Sequence, residues 1–177
     1  MAEDGAQGGL KGIIVPMYRP LLATLGYVLS QDRQSVLMIR RDKRPDDLHF
    51  GKYNGLGGRL EPGEDILSGM RREILEESGL VADGMTLRGT ISWPGFGKGG
   101  EDWFGFVFLA DGWHGEAHGG NHEGTLEWVP LSEVPSLPLW PSDHCFLPLV
   151  FDDDPRPFHG IMPYENGQML SWRYERL

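Results

Sequence analysis

The segment that decides the fold runs from Gly58 to Leu80 and reads GRLEPGEDILSGMRREILEESGL. Apolar residues recur every four positions from Ile66 to Ile74, a spacing that predicts one buried face of a helix over residues 65–78. Gly79 follows at once, and a glycine in this position commonly ends a helix. The segment is therefore expected to form a glycine-containing loop that leads into one amphipathic helix.

The predicted helix carries three acidic residues toward its end. Glu73, Glu76 and Glu77 are three or four positions apart, so their side chains share one helical face. Like charges at this spacing repel, and carboxylates near a helix C-terminus also oppose the helix dipole. The pattern is therefore expected either where divalent cations bind that face or on a solvated acidic surface, with Arg72 holding Glu76 in both cases.

A longer pattern favours the cation-binding alternative. Five residues separate Gly58 from Glu64, and seven more separate Glu64 from Arg72. The spacing resembles the signature of the Nudix hydrolases at every defined position, namely Gly58, Glu64, Arg72, Glu73, Ile74, Glu76, Glu77, Gly79 and Leu80. This resemblance implies the Nudix fold, an α/β/α sandwich with a mixed sheet and a loop–helix–loop motif. It also implies Mg²⁺- or Mn²⁺-dependent hydrolysis of nucleoside diphosphates linked to another moiety.

The resemblance also implies roles for individual residues at the cation site. Glu73 and Glu77 would be metal ligands, Glu76 a further ligand or the base, and the Gly57 carbonyl oxygen would lie near the metal. A cation bound there would neutralise phosphate charge and acidify the water that attacks phosphorus.

Three further residues receive roles in the same way. Arg72 would orient a glutamate rather than touch substrate. Glu64 would either contribute to the metal site or brace the loop, two alternatives of equal weight. Outside the box, Glu123 occupies a loop where the family places an extra metal ligand or base, and its neighbour His122 is interpreted as a surface residue.

Segments outside the box resemble the MutT-type oxidised-purine nucleoside triphosphatases, and the likeness extends from about Leu21 to Leu177. Residues 52–58 (KYNGLGG) resemble one segment of those proteins, and residues 139–143 (LWPSD) resemble the segment with which the animal members grip the purine. The resemblance implies base-binding roles for these side chains: Asn54 at one edge of the base, Asp143 at the other edge, Trp140 stacked on it, and Thr24 and Arg41 lining the pocket.

Structural explanations exist for three of the same residues. Asn54 precedes a glycine and could form a turn, Asp143 could cap the following helix, and Trp140 could pack in the core. One departure from the family also bears on specificity. Ser142 stands where the animal enzymes have a second aspartate, which puts tolerance for several oxidised bases in question. The segment 42–50 is longer than in those relatives, which predicts a different pocket mouth.

Apolar runs and turn residues predict the remaining elements of the fold. Leu21–Leu29 and Ser35–Arg41 are expected to form a hairpin, followed by a loop over residues 42–52. The further predicted elements are strands at 86–93, 103–110 and 125–130, a short helix at 142–150, and a closing hairpin of 158–164 with 168–176 around Asn166-Gly167. These elements indicate a mixed α/β fold with helices packed against a sheet.

Composition limits the classes of partner. The 177 residues are expected to form a single domain, with residues 1–12 as a flexible lead-in. The net charge of −10 disfavours polymeric nucleic acid and anionic membranes, and nothing in the sequence chooses between a monomer and a homodimer. The single cysteine, Cys145, and the lack of a signal peptide or apolar span predict a cytoplasmic protein.

The function expected from the sequence is metal-dependent hydrolysis of 8-oxo-dGTP or related oxidised purine nucleotides, with monophosphate and pyrophosphate as products. One alternative keeps the chemistry but takes ADP-ribose or dinucleoside polyphosphates as substrates. A second alternative is a non-catalytic nucleotide-binding module. Such modules usually lose box carboxylates, and this chain retains all of them.

Overall fold

In the computed structural model, which describes residues 17–46 and 49–177, an eight-stranded sheet lies between two helices. The strands are β1 Leu21–Leu29, β2 Ser35–Arg40, β3 Tyr53–Asn54, β4 Val81–Trp93, β5 Trp103–His114, β6 Thr125–Pro130, β7 Phe158–Ile161, β8 Tyr164–Glu165, β9 Gln168–Met169 and β10 Arg173–Arg176. The helices are α1 Ile66–Ser78 and α2 Pro141–Phe151, with a 3₁₀ turn at Val134–Ser136. The predicted lead-in at residues 1–12 lies outside the described residues.

The sheet is mixed, as predicted. Its order is β10-β7-β4-β5-β1-β2-β3, and β6 also pairs with β2. The central strand β1 runs parallel to β5 and antiparallel to β2. Alternate side chains of β1 enter two cores: Tyr27 packs in the cluster that includes Phe146 of α2, and Val28 packs in the cluster that includes Met70 of α1. The helices therefore cover opposite faces, which is the α/β/α arrangement.

The helix predicted from the apolar spacing is confirmed as α1. Met70 and Ile74 are completely buried against the sheet. Asp65 is the N-cap, and its carboxylate accepts hydrogen bonds from the backbone N–H groups of Leu67 and Ser68 at 2.8 and 3.0 Å. Gly79 ends the helix with φ of 80°, a left-handed conformation that glycine adopts without strain.

Several element boundaries differ from the prediction. β4 begins at Val81 and β5 continues to His114, because the two strands stay paired through register shifts around Gly84 that hide the alternating pattern. The short strand β3 was not predicted, and α2 begins one residue early because Pro141 suits the first helical position. The closing hairpin is divided: β7 pairs with β10, and a separate two-stranded sheet of β8 and β9 surrounds Asn166-Gly167.

The segment that leads into the box lies along β1. Gly26 and Leu56 exchange backbone hydrogen bonds of 2.6 and 2.9 Å, and the Thr24 N–H donates to the Gly58 carbonyl oxygen at 2.8 Å. These bonds fix the glycine loop against the central strand, directly beside α1. No helix among the described residues is long and apolar enough to span a bilayer.

Candidate active site

Two glycines bring the backbone of the box loop against one face of α1. The Gly57 N–H donates a hydrogen bond to Glu77 Oε2 at 2.8 Å. A Cβ atom at Gly58 would lie 2.6 Å from Glu73 Oε1, and one at Gly57, whose φ is +144°, would overlap the Thr24 carbonyl oxygen. The glycines thus allow Glu73 and Glu77, one helical turn apart, to face the loop closely.

Arg72 connects several box carboxylates. Its Nε and Nη2 atoms donate to the two oxygens of Glu64 at 2.7 and 3.0 Å, and Nη1 donates to Glu73 Oε1 at 2.8 Å and to Glu76 Oε2 at 3.2 Å. Glu64 also accepts from the Glu61 N–H at 2.9 Å. Arg72 therefore orients three glutamates, and Glu64 also contacts the backbone of the loop.

The negative charge of the two carboxylates that face the loop, Glu73 and Glu77, is destabilised by their surroundings. The pKa of Glu77 is raised to about 8, chiefly by burial and also by the charges of Glu73 and Glu123, while the Gly57 hydrogen bond opposes the rise. Burial also raises the pKa of Glu73, against the effect of Arg72. Glu76 differs from both, because its side chain is 60% exposed.

Glu123 and Arg41 lie beside these carboxylates. Arg41 Nη1 donates to Glu123 Oε2, and the Asn121 side chain holds the loop by accepting from the Glu123 N–H at 2.8 Å. Both charges act on Glu77, whose pKa Glu123 raises and Arg41 lowers. Arg41, which the resemblance assigns to the base pocket, thus lies beside the carboxylates of Glu77 and Glu123. His122 is 80% exposed, in keeping with a surface residue.

The described residues contain no ready-made group of three or more His, Cys, Asp or Glu side chains that could hold a metal ion. Glu73 instead contacts Arg72, and Glu123 contacts Arg41. The donor chemistry still suits Mg²⁺ or Mn²⁺, since Glu73 and Glu77 offer hard oxygen donors. Burial disfavours their negative charge, and a bound cation would relieve that cost. The two carboxylates therefore fit a divalent cation.

A second group of polar side chains lies where β3 meets the segment before α2. The Tyr53 N–H donates to the Pro138 carbonyl oxygen at 3.2 Å, and Lys52 Nζ donates to the Leu139 carbonyl oxygen at 3.1 Å. Asn54 belongs to β3 rather than to a turn. Its Oδ1 atom is buried and accepts no hydrogen bond from any residue that the structure describes, and Thr24 Oγ1 is in the same condition.

Trp140 and Asp143 stand at the start of α2. Trp140, not Asp143, is the N-cap, which removes the capping explanation for Asp143. Trp140 is half-buried and belongs to neither hydrophobic cluster. Burial raises the pKa of Asp143 to about 6, while the Ser142 hydroxyl, which donates to it at 3.3 Å, and the Lys52 ammonium oppose the rise.

Four residues at this end were not predicted from the sequence. The Trp140 indole N–H donates to His49 Nδ1 at 3.0 Å, and Lys52 Nζ lies 5.5 Å from the centre of the indole ring. Tyr27 and Tyr164 lie near Asp143, whose charge adds to the effect of burial in raising the pKa of both phenols. No local pattern marks these residues: the two tyrosines lie in strands, where an aromatic residue is typical of an ordinary core, and His49 and Lys52 lie in the segment between β2 and β3.

Comparisons with known proteins agree with this geometry. The NUDIX domain family matches residues 20–150. The chain is 38% identical over 129 residues to a Mus musculus protein named oxidized purine nucleoside triphosphate hydrolase, covering 73% of this chain and 78% of that protein. A Danio rerio protein of the same name is 32% identical over 154 residues, covering 87% and 93%.

A solved structure supports the same assignment. The mutator MutT protein from Bacillus halodurans superposes with a TM-score of 0.75 at 29% identity, covering 88% of this chain and 97% of that one. The match supports the arrangement of a mixed sheet with two helices described above. The chain belongs to the Nudix family and has the Nudix fold.

Proposed function

We propose that this Nudix hydrolase converts oxidised purine nucleoside triphosphates of the 8-oxo-dGTP type to the monophosphate and pyrophosphate. The names of the mouse and zebrafish relatives support this substrate class. The observation that carries the proposal is the buried Asn54 Oδ1 atom, which has no partner among the described residues and lies three residues before Gly57, the partner of Glu77. One short segment thus joins a base-binding group to the phosphate-processing box.

The base would bind between β3 and the start of α2. Asn54 Oδ1 accepts an N–H from one edge of the purine, because a buried acceptor left without a partner costs free energy that a ligand N–H removes. Asp143 binds the other edge and Trp140 stacks on the ring, while Thr24 lines the pocket. Stacking supplies affinity for any base, and the polar groups select among bases.

The phosphates would bind at the box, where Glu73 and Glu77 hold a divalent cation, with Glu76, Glu123 and the Gly57 carbonyl as further candidate ligands. Mg²⁺ or Mn²⁺, when bound, supplies charge neutralisation and an acidified water. Arg72 keeps Glu73 and Glu64 in place through its hydrogen bonds.

Three residues at the box have further proposed roles. Glu76 and Glu123 are the candidates for accepting the proton of the attacking water. Arg41, already hydrogen-bonded to Glu123, supplies positive charge beside the phosphate chain.

The excess of acidic residues, which gives a net charge of −10, favours small nucleotides over polymeric nucleic acid. A cytoplasmic location follows from the sequence prediction alone, which does not choose between a monomer and a homodimer.

A nucleotide panel tests the proposal. Steady-state kinetics with 8-oxo-dGTP, 2-oxo-dATP, dGTP, ADP-ribose and a dinucleoside polyphosphate should give the highest kcat/KM for an oxidised purine, with monophosphate and pyrophosphate as products. Glu73→Gln serves as the control and should lower kcat by orders of magnitude while the protein stays folded. A preference for ADP-ribose would overturn the substrate class. Nucleotide binding without turnover in Mg²⁺ would instead indicate a binding module.

A further inference from the structure

We propose that His49 is a positioning residue that fixes the indole of Trp140 for stacking on the base, an inference that rests on the proposed function. His49 lies in the long segment between β2 and β3. Its Nδ1 atom accepts the indole N–H at 3.0 Å. The two rings also meet edge to face, with centroids 5.3 Å apart and an interplanar angle of 78°.

The backbone around His49 is itself held in place. The Lys52 N–H donates to the His49 carbonyl oxygen at 2.9 Å, and the Gly51 N–H donates to the Arg41 carbonyl oxygen at 2.7 Å. Arg41 in turn donates its N–H to the Lys52 carbonyl oxygen at 2.9 Å. The backbone that carries the His49 ring is therefore held by hydrogen bonds beside the end of β2.

Lys52 also contacts the indole of Trp140. Its ammonium lies 5.5 Å from the ring centre, within the range of a cation–π contact, and also donates to the Leu139 carbonyl oxygen at 3.1 Å. With Lys52 on one face of the indole, a base can stack only on the opposite face. The hydrogen bond to His49 then sets the rotation of that face, because it holds the one polar atom of the side chain.

The position of Trp140 is also linked to that of Asp143, the residue proposed to bind the other edge of the base. The Trp140 carbonyl oxygen accepts the Asp143 backbone N–H at 3.0 Å in the first turn of α2. A shift of Trp140 would therefore change the stacking surface and the start of the helix that carries Asp143. His49 should accordingly affect nucleotide binding more than the chemical step at the box.

Three variants separate the hydrogen bond from the packing of the ring. His49→Phe keeps an aromatic ring and removes the acceptor, whereas His49→Asn keeps an acceptor at the place of Nδ1. Trp140→Phe removes the donor. For the best nucleotide of the panel, His49→Phe should raise KM roughly five- to tenfold with kcat within about twofold, and His49→Asn should restore most of the loss. In the Trp140→Phe background, His49→Phe should add nothing.

A measurement without nucleotide tests the contact independently of the substrate. Of the six tryptophan indole N–H signals in a ¹H–¹⁵N spectrum, the one lost in Trp140→Phe should move upfield in His49→Phe and stay near its place in His49→Asn. Equal KM values in wild type and His49→Phe, additive effects with Trp140→Phe, or an unmoved indole signal would each overturn the inference. Failure of the proposed function would show separately, in the substrate preference of the wild-type enzyme.

Discussion

The Gly57 N–H donates a 2.8 Å hydrogen bond to the Glu77 carboxylate, yet this bond does not offset the burial that raises the pKa of Glu77 to about 8. Because the folded state holds this proton more tightly than the unfolded state, whose value is near 4.5, Glu77 lowers stability as pH rises between these values. When a chelator removes divalent cations, the free energy of unfolding should therefore fall as the pH rises from 5 to 8.

Urea denaturation of wild type and Glu77→Gln across this range measures the effect. The single group contributes a slope of at most about 1.4 kcal/mol per pH unit, which the variant should lack. Glu61→Gln, an exposed control in the loop before α1, should keep the wild-type slope. Parallel curves for wild type and Glu77→Gln would show that Glu77 ionises normally.

Gly58→Ala should impair catalysis without unfolding the protein. Its Cβ would lie 2.6 Å from Glu73 Oε1, the far end of a flexible side chain that can move away. Displacing this candidate ligand should lower kcat by roughly 10- to 100-fold, with little change in melting temperature. Gly119→Ala is the matched control, since nothing lies within 4 Å of its added Cβ. Normal turnover in Gly58→Ala would remove Glu73 from the reaction.

Arg72→Lys should lower activity although the charge is kept. A lysine ammonium cannot reproduce the fork that binds both oxygens of Glu64 while also holding Glu73. We expect kcat to fall by about 10- to 100-fold and the Mg²⁺ concentration for half-maximal rate to rise. Arg71→Lys on the same helix, with a more exposed side chain, should behave as wild type. Equal metal dependence in both variants would contradict this role.

Ser142→Asp should broaden base selection. The wild type has one buried carboxylate at this edge, Asp143, with a serine hydroxyl donating to it at 3.3 Å. A second carboxylate could share a proton with Asp143 and present either a donor or an acceptor to the base. The ratio of kcat/KM for 2-oxo-dATP to that for 8-oxo-dGTP should rise several-fold, measured on the nucleotide panel. Ser136→Asp, on the 3₁₀ turn, is the control, and an unchanged ratio in Ser142→Asp would count against this mode of selection.

Arg88→Ala should destabilise the end of α2. Arg88 is 6% exposed, and its guanidinium donates to the carbonyl oxygens of Val150, Leu149 and Asp152 at 2.9, 3.2 and 2.8 Å. Truncation removes this donor from the Val150 and Asp152 carbonyl oxygens, whereas Leu149 keeps a hydrogen bond from Arg176, so we expect a loss of about 2–4 kcal/mol in chemical denaturation. Arg156→Ala removes an exposed pair with Asp154 and should cost less than about 1 kcal/mol. Similar losses of unfolding free energy in Arg88→Ala and Arg156→Ala would contradict a stabilising role for the buried Arg88.

The sequence predicted α1 well because its determinants are local. Apolar spacing, the Asp65 N-cap and Gly79 all lie within the helix or next to it. The lengths of β4 and β5 were underestimated because bulges interrupt the alternation on which strand prediction depends. The box residues that share a face with Glu73 could likewise be identified from spacing alone.

The long-range contacts of the candidate site could not be predicted in this way. His49 meets Trp140 across 91 positions of chain, and Arg41 meets Glu123 across 82. Such pairs are brought together only by the sheet order and the packing of α2, which a local pattern does not encode. For the same reason the sequence did not indicate that Arg41 binds Glu123.

The backbone hydrogen bonds between β1 and the segment 54–58 have a consequence for how a nucleotide would lie in the site. Asn54 and Gly57 are separated by three residue steps, which span at most about 10 Å, and the bonds to Gly26 and Thr24 prevent that length from changing. The segment therefore sets the distance between the proposed base site at Asn54 and the proposed cation site at the box. A nucleotide anchored at Asn54 would reach the box with its phosphate chain at a distance that the main chain fixes.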